Sequence, residues 1–389
     1  MKILKFKGKM SLKNKIYIAV GITLAVIILT FVFLYMLNEP VREWIDIHIL
    51  RKSITEDDIA TIELEVDKSQ YIYAHSRFIS ILCNGKLAIY NSYASKEAEL
   101  DISISNPICS TNSNYLAIAE TNGQRIYFIS DTKVLWDAKV EGNISKINVS
   151  KGGYVSVVTT RKNYKSVIAV FDRNGKKLFE AYRASTIAID TDISVDGKYL
   201  AIAEIKTSGT LIESNIEIID MEKAINGNAS DSTVFIHKAD ANKMLTDIKY
   251  QEKGQLVCRY DDTIEMIFED KNTELMKFDT NTHIADINLK SYAIRTEEIS
   301  TGPFTAKTNV ILKNIISGIE TTYAINSSVK EIVCYGGISA INLGTEIDFI
   351  NLNGWLEKKY KSNQEAKSIV LGTSVAGIVY RDRIKVLTF

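Results

Sequence analysis

Four histidines, four cysteines and scattered acidic pairs are the side chains of this 389-residue sequence that could bind metal or catalyse a reaction. A metal site needs several ligands that converge, and His48, His75, His237 and His283 show no HExxH or HxH spacing. The sequence also contains no GxSxG motif and no GxxxxGK[ST] phosphate loop. We therefore predict no catalytic, cofactor-binding or metal site, and a protein that is not an enzyme.

The cysteines Cys83, Cys109, Cys258 and Cys334 are far apart along the chain. Three of them fall within apolar strand patterns, and a large core does not depend on disulfides. We expect buried free thiols. Cys83 and Cys109 form the one pair considered for a bridge, because both belong to adjacent early strands.

The zero net charge hides an uneven distribution. Six lysines and no acid lie in the first fifteen residues, which leaves 41 basic and 47 acidic side chains, a net charge of −6, for the rest. Nucleic-acid affinity depends largely on cationic groups that neutralise phosphates. The main body of the protein is therefore not expected to bind nucleic acid.

An apolar segment of 22 uncharged residues, 16–37, follows the lysines. As a helix it would measure roughly 33 Å, enough for a bilayer core of about 30 Å. A buried soluble helix and a cleaved signal peptide are alternatives, but the run is long for either and the exit FLYMLNEP lacks a small-x-small cleavage signal. We predict a single-pass signal anchor, with a cytoplasmic basic tail (1–15) and an extracytoplasmic remainder, by the positive-inside rule.

The next segment, 38–58, is interpreted as a juxtamembrane stalk. Its sequence VREWIDIHILRK favours a short helix that continues from the membrane or lies along it, although strand alternation also fits. An ordinary stalk without a role of its own is the alternative.

The remaining residues, 59–389, contain a repeat. The word YLAIAE occurs at Tyr115 and again at Tyr199, and half of that interval is typical of one propeller blade. Eight hairpins recur at spacings of about 36 to 57 residues, each with an apolar strand, a turn and a second strand. We predict an all-β propeller of four-stranded antiparallel blades, eight in number, with seven as the alternative because the fifth and sixth units match poorly. The early strand IATIELEV should complete the last blade and close the ring.

The segments VSKGGY, ISVDGKYLAIAE and ISDTKVLWDAKV resemble repeats of WD-like and quinoprotein-like propellers. The whole chain also resembles a family of membrane-anchored propeller proteins of clostridial-type bacteria, a family of unknown function. The quinoprotein likeness is partial, because the tryptophan that recurs in each blade of that class is missing. The resemblance implies a fold and no quinone cofactor.

Three loops within the predicted hairpins are longer than the others and carry apolar side chains among polar neighbours: Tyr164, Leu211, Ile212 and Phe304. Loops on one face of a rigid ring are a common place for binding sites. We predict a noncatalytic, membrane-tethered scaffold whose loops bind an envelope protein or a cell-wall glycan. The alternative is an extracytoplasmic enzyme or small-ligand sensor with polar groups meeting in the central channel.

Overall fold

The computed structural model describes residues 12–50, 52–55, 59–209, 211–241, 243–279, 282, 284–302 and 305–389. The chain divides into two compact units, Met1–Ile54 and Thr55–Phe389. The first contains helices α1 (Leu12–Leu37) and α2 (Glu39–His48), and the short strand β1 (Ser53–Thr55) begins at its end. Within α1, Tyr17–Leu37 is long and apolar enough to cross a membrane.

Asn38 separates the two helices. Its backbone is extended, and its side-chain Oδ1 accepts a hydrogen bond from the Val41 N–H at 3.2 Å. This caps the exposed start of α2, where Pro40 fits because the first turn needs no N–H donor.

The second unit is an eight-bladed β-propeller of four-stranded antiparallel sheets, as the sequence predicted. In blades 1 to 7 the chain runs from the innermost strand outward, whereas blade 8 takes its outermost strand from the start of the propeller. Blades 1 to 4 consist of β3 (Gln70–His75), β4 (Phe78–Cys83), β5 (Lys86–Tyr90), β6 (Lys96–Asp101); β7 (Pro107–Asn112), β8 (Tyr115–Glu120), β9 (Arg125–Ser130), β10 (Lys133–Lys139); β11 (Asn143–Val149), β12 (Val155–Arg161), β13 (Tyr164–Phe171), β14 (Lys177–Arg183); β15 (Ile187–Ile193), β16 (Tyr199–Lys206), β17 (Glu213–Asp220) and β18 (Thr233–Lys238).

Blades 5 to 8 follow the same order. They consist of β19 (Leu245–Tyr250), β20 (Leu256–Tyr260), β21 (Thr263–Phe268), β22 (Lys271–Lys277); β23 (Ala285–Leu289), β24 (Tyr292–Gly302), β25 (Thr305–Asn314), β26 (Glu320–Ile325); β27 (Glu331–Tyr335), β28 (Ile338–Asn342), β29 (Glu346–Asn351), β30 (Leu356–Lys361); β31 (Ser368–Leu371), β32 (Val375–Val379), β33 (Arg383–Thr388) and β2 (Ala60–Glu63).

The last blade joins the two ends of the propeller. Its outermost strand is β2, which pairs antiparallel with β33, so that Ala60 lies opposite Val386 and Ile62 opposite Ile384. The exposed edge that β33 would otherwise present is thereby covered, which protects it from pairing with another chain.

The core lies between neighbouring blades. The repeated word YLAIAE forms the second strand of blades 2 and 4. In β8, Leu116 packs towards blade 1 while Ala117 packs towards blade 3. Because both faces of the strand are buried, small alanines on one of them let the next blade approach closely.

Two kinds of connection define the faces of the ring. We call the face that carries the second-to-third-strand loops the loop face, and the opposite one, which carries the innermost-to-second-strand turns, the turn face. The helix α3 (Met221–Asn226) and a short 3₁₀ helix (Ala229–Asp231) connect the third and outermost strands of blade 4, and so belong to the turn face.

The cysteines differ in part from expectation. All four are free, and Cys258 and Cys334 are buried, but Cys83 is half-buried and Cys109 is exposed. The reason is position: Cys83 is the last residue of its strand, and Cys109 lies on an innermost strand, which has no further strand on its inner side.

Candidate functional site

The loops singled out in the sequence are the same kind of connection. They join β12 to β13, β16 to β17 and β24 to β25, and therefore all belong to the loop face. Tyr164, Leu211 and Ile212 are exposed, with half of the Leu211 surface accessible to solvent. Phe304 lies outside the described residues.

Tyr164 stands beside a second exposed tyrosine that the sequence did not single out. The rings of Tyr164 and Tyr182, on the third and outermost strands of blade 3, have centroids 4.9 Å apart. Two tilted aromatic rings at this distance attract each other and form one apolar surface.

An ion-paired network holds the Tyr182 side chain of this pair in place. Arg161 makes two hydrogen bonds to Glu180, at 2.8 and 3.1 Å, and the Tyr182 hydroxyl donates to Glu180 at 2.6 Å. Burial by itself would raise the pKa of Glu180, but the hydrogen bonds from Arg161, Tyr182 and Lys177 outweigh it and lower the pKa to about 2. Glu180 is therefore ionised at neutral pH, and it fixes the Tyr182 side chain through the hydroxyl hydrogen bond.

The central channel contains the second candidate site. A cavity of about 580 Å³ opens there, lined by the later residues of the innermost strands and their turns. Its charged and polar lining includes side chains from blades 3, 4 and 5: Lys146, Asn148, Asp190, Asp192, Asp247 and Lys249. Polar groups thus converge from several innermost strands, the arrangement that the channel alternative requires.

Most of these polar groups have a structural partner in the next blade. An innermost strand has one edge without a neighbouring strand, so its N–H groups need other acceptors. The Ile248 N–H donates to Asp190 at 3.1 Å, the Tyr250 N–H donates to Asp192 at 2.8 Å, and the Ser291 N–H donates to Gln251 at 2.8 Å. We call this series of contacts the acceptor ladder.

Blade 2 extends the ladder in the same direction. The Val149 N–H of blade 3 donates to the Ser110 hydroxyl at 3.1 Å. A side-chain bond of the opposite direction links the next two blades, because Asn148 of blade 3 donates to Asp190 of blade 4 at 2.7 Å. Each acceptor therefore belongs to one blade, and its donor lies in a neighbouring blade.

Lysines neutralise the two aspartates of the ladder. Lys146 Nζ lies 3.1 Å from Asp190, and Lys249 Nζ lies 3.3 Å from Asp192. Burial raises the pKa of Asp192, whereas Lys249 and the Tyr250 N–H oppose that rise. Lys249 offsets part of the desolvation of the buried Asp192 carboxylate, since an isolated buried charge would be strongly destabilising.

At the turn face the cavity is crossed by protein groups. The Tyr335 hydroxyl of blade 7 accepts a hydrogen bond from the Ser113 N–H of blade 2 at 2.6 Å. Glu252 lies between Lys151 and Lys290, at 3.1 and 3.2 Å. Three blades are therefore joined by one carboxylate at this mouth.

One of the four histidines, His75, has a clear structural environment. His75 is buried, and its Nε2 lies 2.8 Å from the Asp131 carbonyl, so the ring donates to that oxygen. Burial lowers the pKa of His75, so that the ring is neutral at pH 7. His283 lies outside the described residues, and among the described residues no three His, Cys, Asp or Glu side chains are grouped to hold a metal ion.

The acceptor ladder was not predicted from the sequence, although a signal was present. Polar residues alternate in innermost strands that are otherwise apolar, as in IAIDTDI, where Asp190 and Asp192 share a face. Period-two polar positions in a strand that should be buried indicate either a cavity lining or bonds to a neighbouring strand.

A closed ring of eight four-stranded blades, with its polar groups turned towards a central channel, is an eight-bladed β-propeller. The chain matches a family of unknown function, DUF5711, over residues 50–388, and it belongs to that family. A sequence comparison with curated proteins gives no significant match.

Solved structures share the fold at low sequence identity. The C-terminal WD40 domain of Sif2 is 11% identical with a TM-score of 0.54, and the match covers 85% of this chain and 99% of that one. Sqt1 from Chaetomium thermophilum is 11% identical with a TM-score of 0.53, covering 85% and 98%. BamB from Moraxella catarrhalis is 12% identical with a TM-score of 0.51, covering 85% and 97%. At such identities the likeness establishes the propeller fold alone.

Proposed function

We propose that this protein is a noncatalytic binding module, tethered to the cell membrane, whose loop face binds an envelope protein or a cell-wall component. The observation that carries the proposal is the exposed pair of Tyr164 and Tyr182 on a rigid network, in the same face as the exposed Leu211 and Ile212. Tyrosines offer a large contact area at a low entropic cost, and they are enriched in protein interfaces.

The hydrogen bonds that hold the Tyr182 side chain support the proposal of a binding surface. An exposed ring that moves freely loses entropy on binding, which weakens the complex. The Tyr182 ring is instead fixed by its hydrogen bond to Glu180, and Glu180 by two bonds from Arg161. The surface is therefore preorganised for a partner.

Binding without catalysis is proposed because the polar groups of the channel already have partners. The carboxylates of Asp190 and Asp192 accept backbone N–H groups and pair with lysines. A general base needs a carboxylate that can reach substrate, and here structural bonds occupy the oxygens.

Membrane attachment and orientation are part of the same proposal. The apolar span Tyr17–Leu37 follows a lysine cluster without acids. Positive residues favour the cytoplasmic side of a span, so the propeller would face the outside of the cell.

Photo-crosslinking in cells tests the loop face. A photoreactive amino acid replaces Leu211 in one variant, and replaces Tyr93 in a matched control. Tyr93 is 81% exposed, but its β5–β6 connection belongs to the turn face. We expect a discrete adduct in the membrane fraction from position 211, none from position 93, and loss of the adduct in a Tyr164→Ala, Tyr182→Ala background.

The result that would overturn the proposal is equally specific. Equal adducts from positions 211 and 93, or no adduct from position 211 in correctly displayed protein, would show that the loop face is not the binding surface. Thermal unfolding of each variant confirms that the ring remains folded.

A further inference from the structure

An open pocket of about 450 Å³ lies on the loop face of blade 3. Two short segments form it: 141–143, which leads from blade 2 into blade 3, and 160–162, at the end of β12. Its lining residues are Glu141, Gly142, Asn143, Thr160, Arg161 and Lys162. The volume is within the range of about 300–1,000 Å³ that is typical of small-ligand sites.

Arg161 connects this pocket to the pair of exposed tyrosines. Its Nε donates to the Glu141 carbonyl at 2.9 Å, on the pocket side. Across the β12–β13 hairpin, Arg161 lies opposite Tyr164, and its guanidinium carbon is 6.0 Å from the centre of the Tyr182 ring. A ligand that fills the pocket and extends past Arg161 therefore meets the tyrosines.

The wall of the pocket is held in a fixed shape. Gly142 has a φ of +87°, and a Cβ at this position would collide with the Thr160 carbonyl oxygen. Only glycine permits this backbone conformation and this close approach without strain. The Arg161 side chain is 12% exposed and is held by its two hydrogen bonds to Glu180. Little ordering entropy would therefore be lost when a ligand binds.

The chemistry of the lining favours a polyhydroxylated ligand. None of its six residues is a large apolar one, and the Glu141 side chain is 84% exposed, with Asn143 and Lys162 also exposed. An apolar anchor of a protein partner would have to desolvate these groups without replacing their hydrogen bonds to water. Sugar hydroxyls both donate and accept, so they can bond to a carboxylate, an amide and an ammonium group alike.

The tyrosines complement the other side of such a ligand. An aromatic ring carries negative charge on its face, which attracts the weakly positive C–H groups of a sugar ring. A β-linked pyranose with equatorial hydroxyls presents its axial C–H groups as a flat surface. Tyr164 and Tyr182, which are 39% and 47% exposed, offer an aromatic surface for it beside the polar pocket.

We infer that the pocket and the tyrosine pair together bind a β-linked pyranose chain, the class of polymer that includes the amino-sugar strands of cell walls. Hydroxyls of one sugar ring occupy the pocket, and the C–H face of the next ring lies on the tyrosines. This inference rests on the proposed function, which leaves an envelope protein and a cell-wall component open, and it assigns the second.

Saturation-transfer NMR of the full-length protein in deuterated detergent tests the inference. The probes are chitotetraose and cellotetraose, which are β-linked tetramers with and without acetamido groups. With the aromatic protons of the protein irradiated, we expect the strongest transfer to the axial C–H protons of one ring face. Absence of transfer to both probes overturns the inference.

Three variants locate the bound sugar. Tyr182→Ala should weaken binding by about tenfold, the equivalent of about 1.4 kcal/mol, and Asn143→Ala by about fivefold through a lost hydrogen bond. Tyr93→Ala is the matched control, because Tyr93 is an exposed tyrosine of the turn face, and it should leave the affinity unchanged. Thermal unfolding of each variant shows that the ring remains folded.

The outcomes separate this inference from the proposed function. A crosslinked adduct from position 211 without sugar binding overturns the sugar ligand and leaves a protein partner on the loop face. Absence of both the adduct and sugar binding overturns both proposals. Sugar binding that survives Tyr182→Ala and Asn143→Ala overturns the site, since the ligand must then lie elsewhere on the propeller.

Discussion

Asp190 illustrates how a charged side chain can serve architecture inside a cavity. Its two oxygens accept from Asn148 in blade 3 and from the Ile248 N–H in blade 5, and Lys146 lies 3.1 Å away. A residue with this chemistry in a cavity is often interpreted as a ligand contact. Here its bonds account for it without any ligand.

Substitution of Asp190 measures this structural role. Asp190→Ala leaves the Ile248 N–H and the Lys146 ammonium without their acceptor, so the free energy of unfolding should fall by about 2–4 kcal/mol in urea denaturation. Asp190→Asn keeps one acceptor oxygen and should cost less.

The control for Asp190 is the exposed Asp137 on the outermost strand of blade 2, where alanine should change stability by at most about 0.5 kcal/mol. If Asp190→Ala unfolds with the same free energy as the parent protein, the Asp190 carboxylate has no structural role in the acceptor ladder. Ligand binding would then be the better explanation for this side chain.

At this scale the sequence predicted some environments and missed others. Local pattern indicates that a lone strand histidine is usually structural, and His75 is bonded to a backbone carbonyl. It was not enough for Asp190, because its partners are 42 and 58 residues away. The exposure of Cys109 was missed for the same reason, since it depends on which strand lines the channel.

Among the elements, the four-residue strand β2 closes the ring of blades. It supplies the outermost strand of blade 8, and its Ile62 is buried with Ile79, Val375 and Ile384. This one strand connects the beginning of the propeller to its end, and its contribution rests on both ladder hydrogen bonds and apolar burial.

Truncation of Ile62 tests the importance of this strand. Ile62→Ala should lower the free energy of unfolding by about 2–4 kcal/mol, the usual cost of a cavity in a core. Amide hydrogen exchange should accelerate first in β31, β32 and β33, because the blade opens from its outer edge. Glu63→Ala, on the exposed side of the same strand, is the control; equal exchange rates in both variants would show that β2 does not secure the blade.

Elements were easier to predict from the sequence than the site was. Hairpins form between residues close in the chain, so turn residues and strand periodicity reveal them, and the number of eight blades is confirmed. The doubtful sixth unit owes its poor match to length, since β24 has 11 residues and β25 has 10. Only Tyr164 of the tyrosine pair was predicted from the sequence, because its partner Tyr182 lies on the neighbouring strand and not in the same loop.

For the whole molecule, the orientation across the membrane is open to direct test. In a background of Cys83→Ser and Cys109→Ser, Tyr93→Cys places a thiol at an exposed position of the propeller. We expect a membrane-impermeant maleimide to label it in intact cells. Lys5→Cys, in the lysine-rich tail, should react only after the cells are opened. The reverse pattern would contradict an extracytoplasmic propeller.

The acceptor ladder has a direction, and this sets how the protein can evolve. At the junctions of blades 2–3, 4–5 and 5–6 the acceptor side chain lies in the earlier blade and the backbone donor in the later one, so each of these junctions has its own pair of residues. Arrays of interchangeable repeats gain or lose units readily, since every junction is alike. In this ring the deletion or exchange of one blade would mismatch two junctions at once, so the order and the number of blades are expected to be inherited together.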